Sequence, residues 1–563
     1  MANEYGNYAT LDPLNADALW TFSEGNKRCS VSGSAGGDNT RSTIFMSSGK
    51  WYWEILITSV GGGTAKDVEV GICLPSSVRS VADGNQGLGS NLVVGWSYHS
   101  ENGKTYHNGT AATYGSAYGD GAVIGVALDL DAGAIYFSLD NAWQNSASEA
   151  EIEAGTTTNA AYTGLTDSYH AALGYSAAGA RECDMTIRFD HASITGDAPS
   201  GFLALATQNL PEPAIINPDD HYYNVLLDHD GSSTATTCTF NLDTYEWLAI
   251  IKSTAEEKWY WINSVRGENE YISSNNDSVK TADSNVMSVS GTTLTLGSTL
   301  ADANYLIEVH RAGLASATAA NTDGTFAGDS SSSDTTHTTV NLTSGFGYSI
   351  FTGRTNNGIR TIGHGLDKAP EFVINKQLVG GSTNWASTHI GLTNGTKEVY
   401  LNLVADEDDN ANHQNNTRPS ATLLTYGSAG DVNGAGDTQL VMYWHSVAGY
   451  SDFGVYETNG STDGPFLNTG FCPSSVFIKH IDEDGEWYQL YEAQNNGNPQ
   501  DLYYSWSLDT AQPSAFTFFD WVSNGVKFRT AGGSVNDDGG TVIYGAWGGR
   551  PLTDRAVNQG RAK

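Results

Sequence analysis

VIGVALDLDAGAIYFSLD, residues 123–140, is the stretch that decides the fold class. Two runs of aliphatic, β-branched and aromatic residues flank Asp-Ala-Gly at 131–133, which is the residue pattern of a hairpin turn between two strands. The run GKWYWEILI at 49–57 has the same strand character. The helix-like composition along the chain is confined to SEAEIEAG at 148–155. The sequence therefore predicts an all-β protein.

Composition sets the number of domains and the kind of surface. The chain has 563 residues, and a single hydrophobic core stops growing near roughly 250–300 residues, so we expect several domains. Charged residues make up 16% of the chain, which also contains 64 glycines. This composition indicates a surface of Ser, Thr, Asn and Gly, and many short strands joined by tight turns.

The net charge of the chain indicates which kinds of partner it can bind. Lys and Arg total 27 against 63 Asp and Glu, which gives a formal net charge of −36. Such a chain would be repelled by a phosphate backbone, so we expect no nucleic-acid partner. The acidity favours solubility. Acidic runs at 406–409 and 537–538 could also bind divalent cations, but their spacing is not that of a calcium loop, and we expect no metal or other cofactor.

Cysteine use and the N-terminal sequence bear on the compartment. The five cysteines lie far apart and form no CxxC pair, so neither a disulfide framework nor a zinc site is indicated. MANEYGNYAT at 1–10 lacks a basic patch followed by an apolar run, and the apolar stretch AVIGVAL at 122–128 is too short to cross a bilayer. We therefore expect neither a cleaved signal peptide nor insertion in a membrane.

Residues 45–205 resemble a SPRY domain. The matching pieces, in chain order, are WYWEI (51–55), VEVGIC (68–73), VVGWSYHSENGKTYHNG (93–109), GVALDLDAGAIYFSLDNAW (125–143), MTIRFD (185–190) and APSGFLAL (198–205). Asp140-Asn141-Ala142-Trp143 departs from the family, which usually has Asn-Gly before the Trp. The resemblance implies a concanavalin-like β-sandwich that acts as a binding module.

Beyond residue 207 the chain repeats itself. KAPEFVINK (368–376) recurs as CPSSVFIKH (472–480), and GYSIFTGRTNNG (347–358) as GYSDFGVYETNG (449–460). The two tyrosines give a period of 450 − 348 = 102 and the two lysines one of 479 − 376 = 103. A diverged third copy begins at WLAIIK (247–252). The agreement of the two periods predicts duplicated domains with one fold.

These features predict five segments. Residues 1–207 would form the SPRY-like sandwich with an N-terminal extension, and the proline-containing 208–220 a linker. Residues 221–366 would form repeat 1 with a Ser/Thr-rich insertion at 322–339, residues 367–470 repeat 2, and residues 471–563 repeat 3 with a C-terminal tail. The predicted fold class is thus a SPRY/concanavalin-like β-sandwich followed by tandem β-sandwich repeats.

The repeat joined to a SPRY domain resembles tail-fibre-like and other structural proteins of marine bacteriophages. The specific part is the pattern GYSxFGxYxxNGxxDGPFxxTGFxPxxVxIK at 449–479. The resemblance implies a protein on the exterior of a virus particle, made in the host cytoplasm, that contacts other virion proteins and a host surface glycan or receptor as a homo-oligomer, here a trimer. The alternatives are a capsid decoration or head-fibre protein without a host ligand, and a glycan depolymerase.

The sequence gives little reason to expect an enzyme. HExxH, GxSxG and Walker motifs are missing from it. Acidic pairs such as Asp129 with Asp131 could serve a glycosidase, but their place in a hairpin favours a structural role. Tyr and Trp near loops are better candidates because they stack on sugars and anchor interfaces. The candidate ligand-binding residues surround the SYHSENGKTYHNG hairpin and are Tyr98, Asn102, Tyr106, His107 and Asn108.

A lysine recurs in each repeat with a tryptophan after it. The lysines are Lys252, Lys376 and Lys479, and the tryptophans are Trp259, Trp385 and Trp487. Two interpretations stay open at this point. The lysines could make salt bridges between chains, or their stems could cover an apolar edge beside the tryptophan.

Overall fold

The computed structural model describes residues 7–16, 19–33, 38–61, 68–75, 87–89, 94–175, 181–210, 214–255, 258–315, 335–353, 358–494, 497–511, 518–548 and 550–551. The chain divides into two compact units, an N-terminal unit containing Met1–Glu212 and a C-terminal unit containing Pro213–Leu552. The central part of the predicted linker, 211–213, and most of the Ser/Thr-rich insertion lie outside the described residues.

The N-terminal unit consists of fourteen described strands and one short helix. The strands are β1 Trp20–Ser23, β2 Arg28–Gly33, β3 Asp38–Met46, β4 Lys50–Val60, β5 Val68–Cys73, β6 Gly95–His99, β7 Lys104–His107, β8 Thr110–Thr113, β9 Val123–Asp129, β10 Ala134–Leu139, β11 Ala142–Trp143, β12 Tyr162–Thr163, β13 Tyr169–Tyr175 and β14 Arg181–Arg188. Helix α1 spans Glu149–Glu153. Short 3-10 helices lie at Pro13–Asn15 and Thr207–Asn209.

Two antiparallel sheets form the sandwich of this unit. One has the order β1-β2-β14-β4-β9-β10-β11, with β12 also paired to β10, and the other has the order β3-β13-β5-β6-β7-β8. Alternate residues of β4 explain why the sheets stack: Trp51, Trp53 and Ile55 enter the main core, whereas Tyr52 packs in a second cluster on the opposite face. The period of two gives β4 two buried faces.

The C-terminal unit contains three copies of one sheet. Copy 1 comprises β15 Tyr222–Asp230, β16 Thr234–Thr237, β17 Tyr245–Ser253, β18 Tyr260–Asn263, β19 Glu270–Tyr271, β20 Thr281–Ala282, β21 Met287–Ser290, β22 Thr293–Leu296 and β23 Asp302–Leu314, preceded by a 3-10 helix at Pro218–Asp220. Copy 2 comprises β24 Thr335–Asn341, β25 Phe346–Thr352, β26 Arg360–Gly363, β27 Phe372–Val379, β28 Ala386–His389, β29 Lys397–Tyr400, β30 Asp408–Asp409, β31 Leu423–Tyr426, helix α2 Gly430–Asn433 and β32 Thr438–Trp444. Copy 3 comprises β33 Asp452–Glu457, β34 Phe466–Asn468, β35 Phe471–Cys472, β36 Ser475–His480, β37 Tyr488–Tyr491, a 3-10 helix at Glu492–Gln494, β38 Tyr504–Ser505, β39 Phe519–Val522, β40 Gly525–Phe528, β41 Thr541–Trp547 and β42 Arg550–Pro551.

The main sheets of the three copies have the same strand order. It is β15-β23-β17-β18 in copy 1, β25-β32-β27-β28 in copy 2 and β33-β41-β36-β37 in copy 3. The register also agrees, because Lys252, Lys376 and Lys479 face Leu306, Leu440 and Ile543 on the neighbouring strand. In copy 2 the sheet continues through β24 on one side and through β29 and β30 on the other.

The three copies contact one another through their lysines. All three lysine side chains are buried, and each ammonium group donates hydrogen bonds to main-chain oxygens. The bonds between copies join Lys376 Nζ to Asp277 O at 2.8 Å, Lys479 Nζ to Val404 O at 2.9 Å and Lys252 Nζ to Thr510 O at 3.1 Å. Copy 2 therefore donates to copy 1, copy 3 to copy 2, and copy 1 to copy 3.

The tryptophans repeat this cyclic pattern. Each lies directly before the fourth strand of its sheet, and its indole N–H donates to a carbonyl of the same neighbouring copy. The bonds join Trp385 Nε1 to Asn276 O at 3.1 Å, Trp487 Nε1 to Tyr400 O at 2.9 Å and Trp259 Nε1 to Ser505 O at 2.7 Å. We call this closed arrangement the three-copy cycle.

Aromatic side chains fill the interior between the copies. One continuous core cluster contains residues of all three copies. Trp261 and Trp385 lie 5.3 Å apart between ring centroids, and the near-parallel rings of Trp444 and Trp547 lie 6.1 Å apart. The three copies therefore share one hydrophobic core.

The all-β prediction and the sandwich of the N-terminal unit are confirmed. The hairpin predicted around 131–133 forms between β9 and β10, and α1 forms in the predicted helical stretch. Strand pairing differs from the predicted segment boundaries, because β25 pairs with β32 and β33 with β41. The strands with the GYS motifs, β25 and β33, come before the predicted boundaries at 366 and 470. Their pairing nevertheless places β25 in copy 2 and β33 in copy 3.

The ammonium groups of the lysines bond to backbone carbonyls of another copy in the same chain. Lys376 also lies beside its tryptophan, with Nζ 5.8 Å from the centroid of the Trp385 ring, as the second interpretation predicts. Burial lowers the pKa of Lys376 and that of Lys479 to about 8, because the charged form loses its hydration.

Candidate functional site

Of the predicted ligand-binding residues, Tyr98 lies on β6 and Tyr106 and His107 lie on β7, at one end of the six-stranded sheet. Asn102 lies in the turn between β6 and β7, and Asn108 in the turn between β7 and β8. The turn between β7 and β8 is Asn108-Gly109, whose φ angles are +49° and +68°. Asn and Gly are the residues that adopt this conformation in two-residue hairpins of type I′. The backbone conformation of the hairpin therefore accounts for Asn108.

Tyr98 belongs to the core of the sandwich and not to its surface. Its side chain is fully buried, its ring stacks on Phe137 with centroids 5.4 Å apart, and its hydroxyl donates to the carbonyl of Ser116. Burial raises the pKa of the phenol. Tyr98 is therefore covered by the protein, and the prediction that it binds a ligand is not supported by its position.

Asn102, Tyr106 and His107 all lie on the outer strand pair, but Tyr106 pairs with Ser97 and His107 with Trp96, so the two ring side chains leave opposite faces of the sheet. The amide of Asn102 donates to the Tyr106 hydroxyl at 2.9 Å, which leaves the hydroxyl proton available to a ligand. His107 lies parallel to Trp96, with ring centroids 4.4 Å apart and an interplanar angle of 8°. Asn102 is exposed, and the Tyr106 and His107 side chains are half-buried.

The exposed strand β8 extends this surface. Each residue of Thr110–Thr113 is exposed, and β8 ends the sheet order. One face of the strand pair thus offers the Tyr106 ring, the Asn102 amide and the Thr113 hydroxyl, and the other face offers the His107 ring and the Thr110 hydroxyl. Such groups can stack on a ligand and hydrogen-bond to it, as sugars and protein loops require. We call the two faces of this strand pair together the hairpin surface.

Trp96 is the residue that the sequence reasoning missed. It forms the base under His107, and its ring also meets Tyr169 at 5.3 Å. The alternation of β6 would have shown that Trp96 and Tyr98 lie on the same side of the strand. It could not have shown that the end of the sheet leaves Trp96 half-buried while Tyr98 is covered.

Carboxylates in the predicted hairpin have structural partners. Asp129 is buried, forms an ion pair with Lys50 at 3.0 Å, and accepts the backbone N–H groups of Asp131 and Ala132. Asp131 accepts the N–H of Gly49 at 2.9 Å. Both carboxylates therefore hold the turn between β9 and β10.

Within the described ranges, no group of three or more His, Cys, Asp or Glu side chains is arranged to hold a metal ion. Within the same ranges, no helix is long and apolar enough to span a bilayer.

Comparison with protein families decides the classification. The family model "Domain of unknown function (DUF7483)" matches residues 217–551, which is 335 of the 563 residues. The chain belongs to the DUF7483 family. The three copies of this DUF7483 protein lie inside the matched range. A second family model, SPRY domain, matches residues 50–154, so the DUF7483 region follows an N-terminal SPRY domain that carries the hairpin surface.

Three solved structures are among those similar to part of this DUF7483 protein. The SPRY domain of human HERC1 is 17% identical over 32% of this chain and 96% of that chain, with a TM-score of 0.24. Stonustoxin is 19% identical over 32% of this chain and 27% of that chain, with a TM-score of 0.24. A human SPRY domain is 16% identical over 30% of this chain and 94% of that chain, with a TM-score of 0.21. The comparison with curated proteins found no match.

Proposed function

We propose that this chain is a non-enzymatic structural and binding protein on the exterior of a virus particle, a phage tail fibre or comparable receptor-facing appendage. In this proposal the SPRY domain contacts a host surface glycan or protein through the hairpin surface. The DUF7483 region carries it and contacts other virion proteins.

The three-copy cycle is the observation that carries the proposal. Its repeated polar side chains, three lysines and three tryptophans, are buried and bonded to backbone carbonyls of neighbouring copies. Buried groups with these bonds fix the relative positions of the copies, because breaking a bond would leave a charge or a carbonyl unsatisfied. This is the property needed in a rigid carrier.

The hairpin surface supports the binding part of the proposal. Tyr106 and His107 combine an apolar face with a polar edge, and both are partly fixed by neighbours before any ligand arrives. Fixed aromatic side chains lose little conformational entropy on binding. A single surface of this size would bind weakly, so several copies in one particle would give the avidity that adhesion needs, by roughly 10²–10⁴ over one contact.

The alternatives make different use of the same features. A capsid decoration or head-fibre protein would need the three-copy cycle but not the hairpin surface. A depolymerase would need two free carboxylates across a cleft, whereas Asp129 and Asp131 are engaged in a turn.

The homo-oligomer, expected from the sequence to be a trimer, remains part of the proposal, and the mass of the purified chain in solution tests it.

The binding part is tested with a single substitution. Tyr106→Ala removes the half-buried ring from the hairpin surface, whereas Tyr503→Ala removes a half-buried tyrosine from copy 3. We expect fluorescently labelled full-length protein to bind host cells, Tyr106→Ala to lose at least tenfold in binding, and Tyr503→Ala to retain it. Equal binding by both variants would remove the hairpin surface from the proposal, and no binding by the wild type would favour the decoration protein.

A further inference from the structure

A cavity of about 160 Å³ opens in copy 2, away from the contacts of the three-copy cycle made by Lys376 and Trp385. Its lining combines apolar and polar side chains. The apolar members are Ala369, Pro370, Ile390 and Pro419, and the polar ones include Glu371, Thr388, Asn394, Lys397, Gln414 and Arg418. Ile390 is 46% exposed, so part of its side chain is open to a ligand.

Three lining groups have hydrogen-bonding capacity that the described residues leave unused. Gln414 is 6% exposed, and its amide nitrogen donates to Thr388 Oγ1 at 2.7 Å, while its carbonyl oxygen accepts no hydrogen bond. The Thr388 hydroxyl accepts this bond and has its own proton to donate. Glu371 binds Ser446 through Oε2, and its Oε1 is unbonded. These three groups together would offer a ligand one donor and two acceptors.

The cationic groups of the lining are already engaged. Lys397 pairs with Asp409 at 3.1 Å, and Arg418 donates to the carbonyls of Ile390, at 2.9 Å, and of Leu392. Arg418 thereby holds the loop after β28 in place, so the cavity is formed before a ligand enters. Lys397 is ion-paired, the guanidinium of Arg418 is directed at backbone carbonyls and a carboxylate oxygen of Glu371 is free, so the lining presents hydroxyl, amide and carboxylate groups to a ligand.

We propose that this cavity binds a neutral sugar ring of hexose size. Hydroxyl groups both donate and accept, which suits Thr388 together with Gln414 and Glu371, and the C–H face of a pyranose suits Ile390 and the prolines. A volume of about 160 Å³ has room for about five water molecules at roughly 30 Å³ each, which is comparable to the volume of one sugar ring. The inference rests on the proposed function and adds a second glycan contact to it.

Saturation-transfer NMR on the full-length protein tests the proposal with glucose, galactose and mannose as probes and glycerol for comparison. We expect at least one hexose to bind with a millimolar Kd and glycerol to bind at least tenfold more weakly. Thr388→Val, which keeps the side-chain shape, and Gln414→Leu should each weaken hexose binding tenfold or more. Thr438→Val, at the start of β32 and outside the cavity lining, should leave binding unchanged.

The outcomes separate this inference from the proposed function. Absence of binding by all three hexoses, equal binding of glycerol, or undiminished hexose binding by Thr388→Val would each overturn the cavity proposal. Tyr106→Ala should keep the part of hexose binding that Thr388→Val removes, because the hairpin surface is another site. If the cavity proposal fails while the wild type still adheres to host cells in a Tyr106-dependent manner, the proposed function stands without it.

Discussion

Replacing Lys376 by methionine should change how the stability of the C-terminal unit depends on pH. The side chain is fully buried, with its ammonium group bonded to Asp277 O at 2.8 Å and Thr383 O at 2.6 Å. Burial lowers the pKa from 10.5 to about 8. In the unfolded chain the lysine regains its ordinary pKa, so between pH 8 and 10.5 the unfolded state holds more protons than the folded state.

The sign and size of the effect follow from this difference. The free energy of unfolding of the wild type, relative to Lys376→Met, should rise from pH 8 to pH 10.5 and stay level below pH 8. A pKa difference of about 2.5 corresponds to roughly 3 kcal/mol at about 1.36 kcal/mol per unit. At pH 7 the variant also leaves two carbonyls without a donor, each costing about 1–3 kcal/mol, while removing the cost of burying a charge.

Urea unfolding of the full-length protein, followed by tryptophan fluorescence at several pH values, measures the effect. Lys368→Met is the control, because Lys368 is an exposed lysine of the same copy, and its free energy of unfolding should track that of the wild type throughout. A wild-type-minus-Lys376→Met difference that stays flat from pH 7 to pH 10.5 would refute the argument that Lys376 is held as a desolvated cation.

Three further predictions concern single side chains. Trp487→Phe loses the bond to Tyr400 O and should lower the free energy of unfolding by about 2 kcal/mol in urea titrations; an unchanged midpoint would contradict the role given to the indoles in the three-copy cycle. His389 is buried and bonds to Tyr544 O at 3.0 Å, and burial lowers its pKa to about 3. The stability of the fold should therefore fall as the pH falls from 6.5 towards 3. In thermal melts at acid pH, His389→Gln should reduce this loss of stability. Tyr98→Phe should cost about 1 kcal/mol of stability without changing adhesion; reduced adhesion by a stably folded variant would return Tyr98 to the ligand-binding set.

The sequence predicts that the chain contains repeats, but it does not predict how the copies contact one another. The 102- and 103-residue periods and the Lys-then-Trp pattern identified equivalent positions, and the strand registers agree with them. A sequence period identifies residues at equivalent positions, but it does not identify the copy that each side chain contacts. The bond of Lys252 to Thr510 O spans 258 residues, and no local pattern encodes a contact at that separation.

Local patterns had a similar limit at the hairpin surface. The Asn-Gly dipeptide at 108–109 predicts a turn, and that signal could have moved Asn108 from the ligand-binding set to the turn. Tyr98 and Tyr106 are both tyrosines beside the same hairpin, yet only the sheet order shows that one faces the core and the other lies near the sheet's end.

Labelling of purified virus particles tests the central claim most directly. Antibodies raised against the folded full-length protein would be applied to intact particles and located by electron microscopy, with antibodies against an unrelated acidic β-protein as control. The proposal predicts regular label at one exterior position on each particle, and the chain should copurify with the particles in constant proportion. A chain that is abundant in infected-cell lysate but missing from purified particles would contradict it.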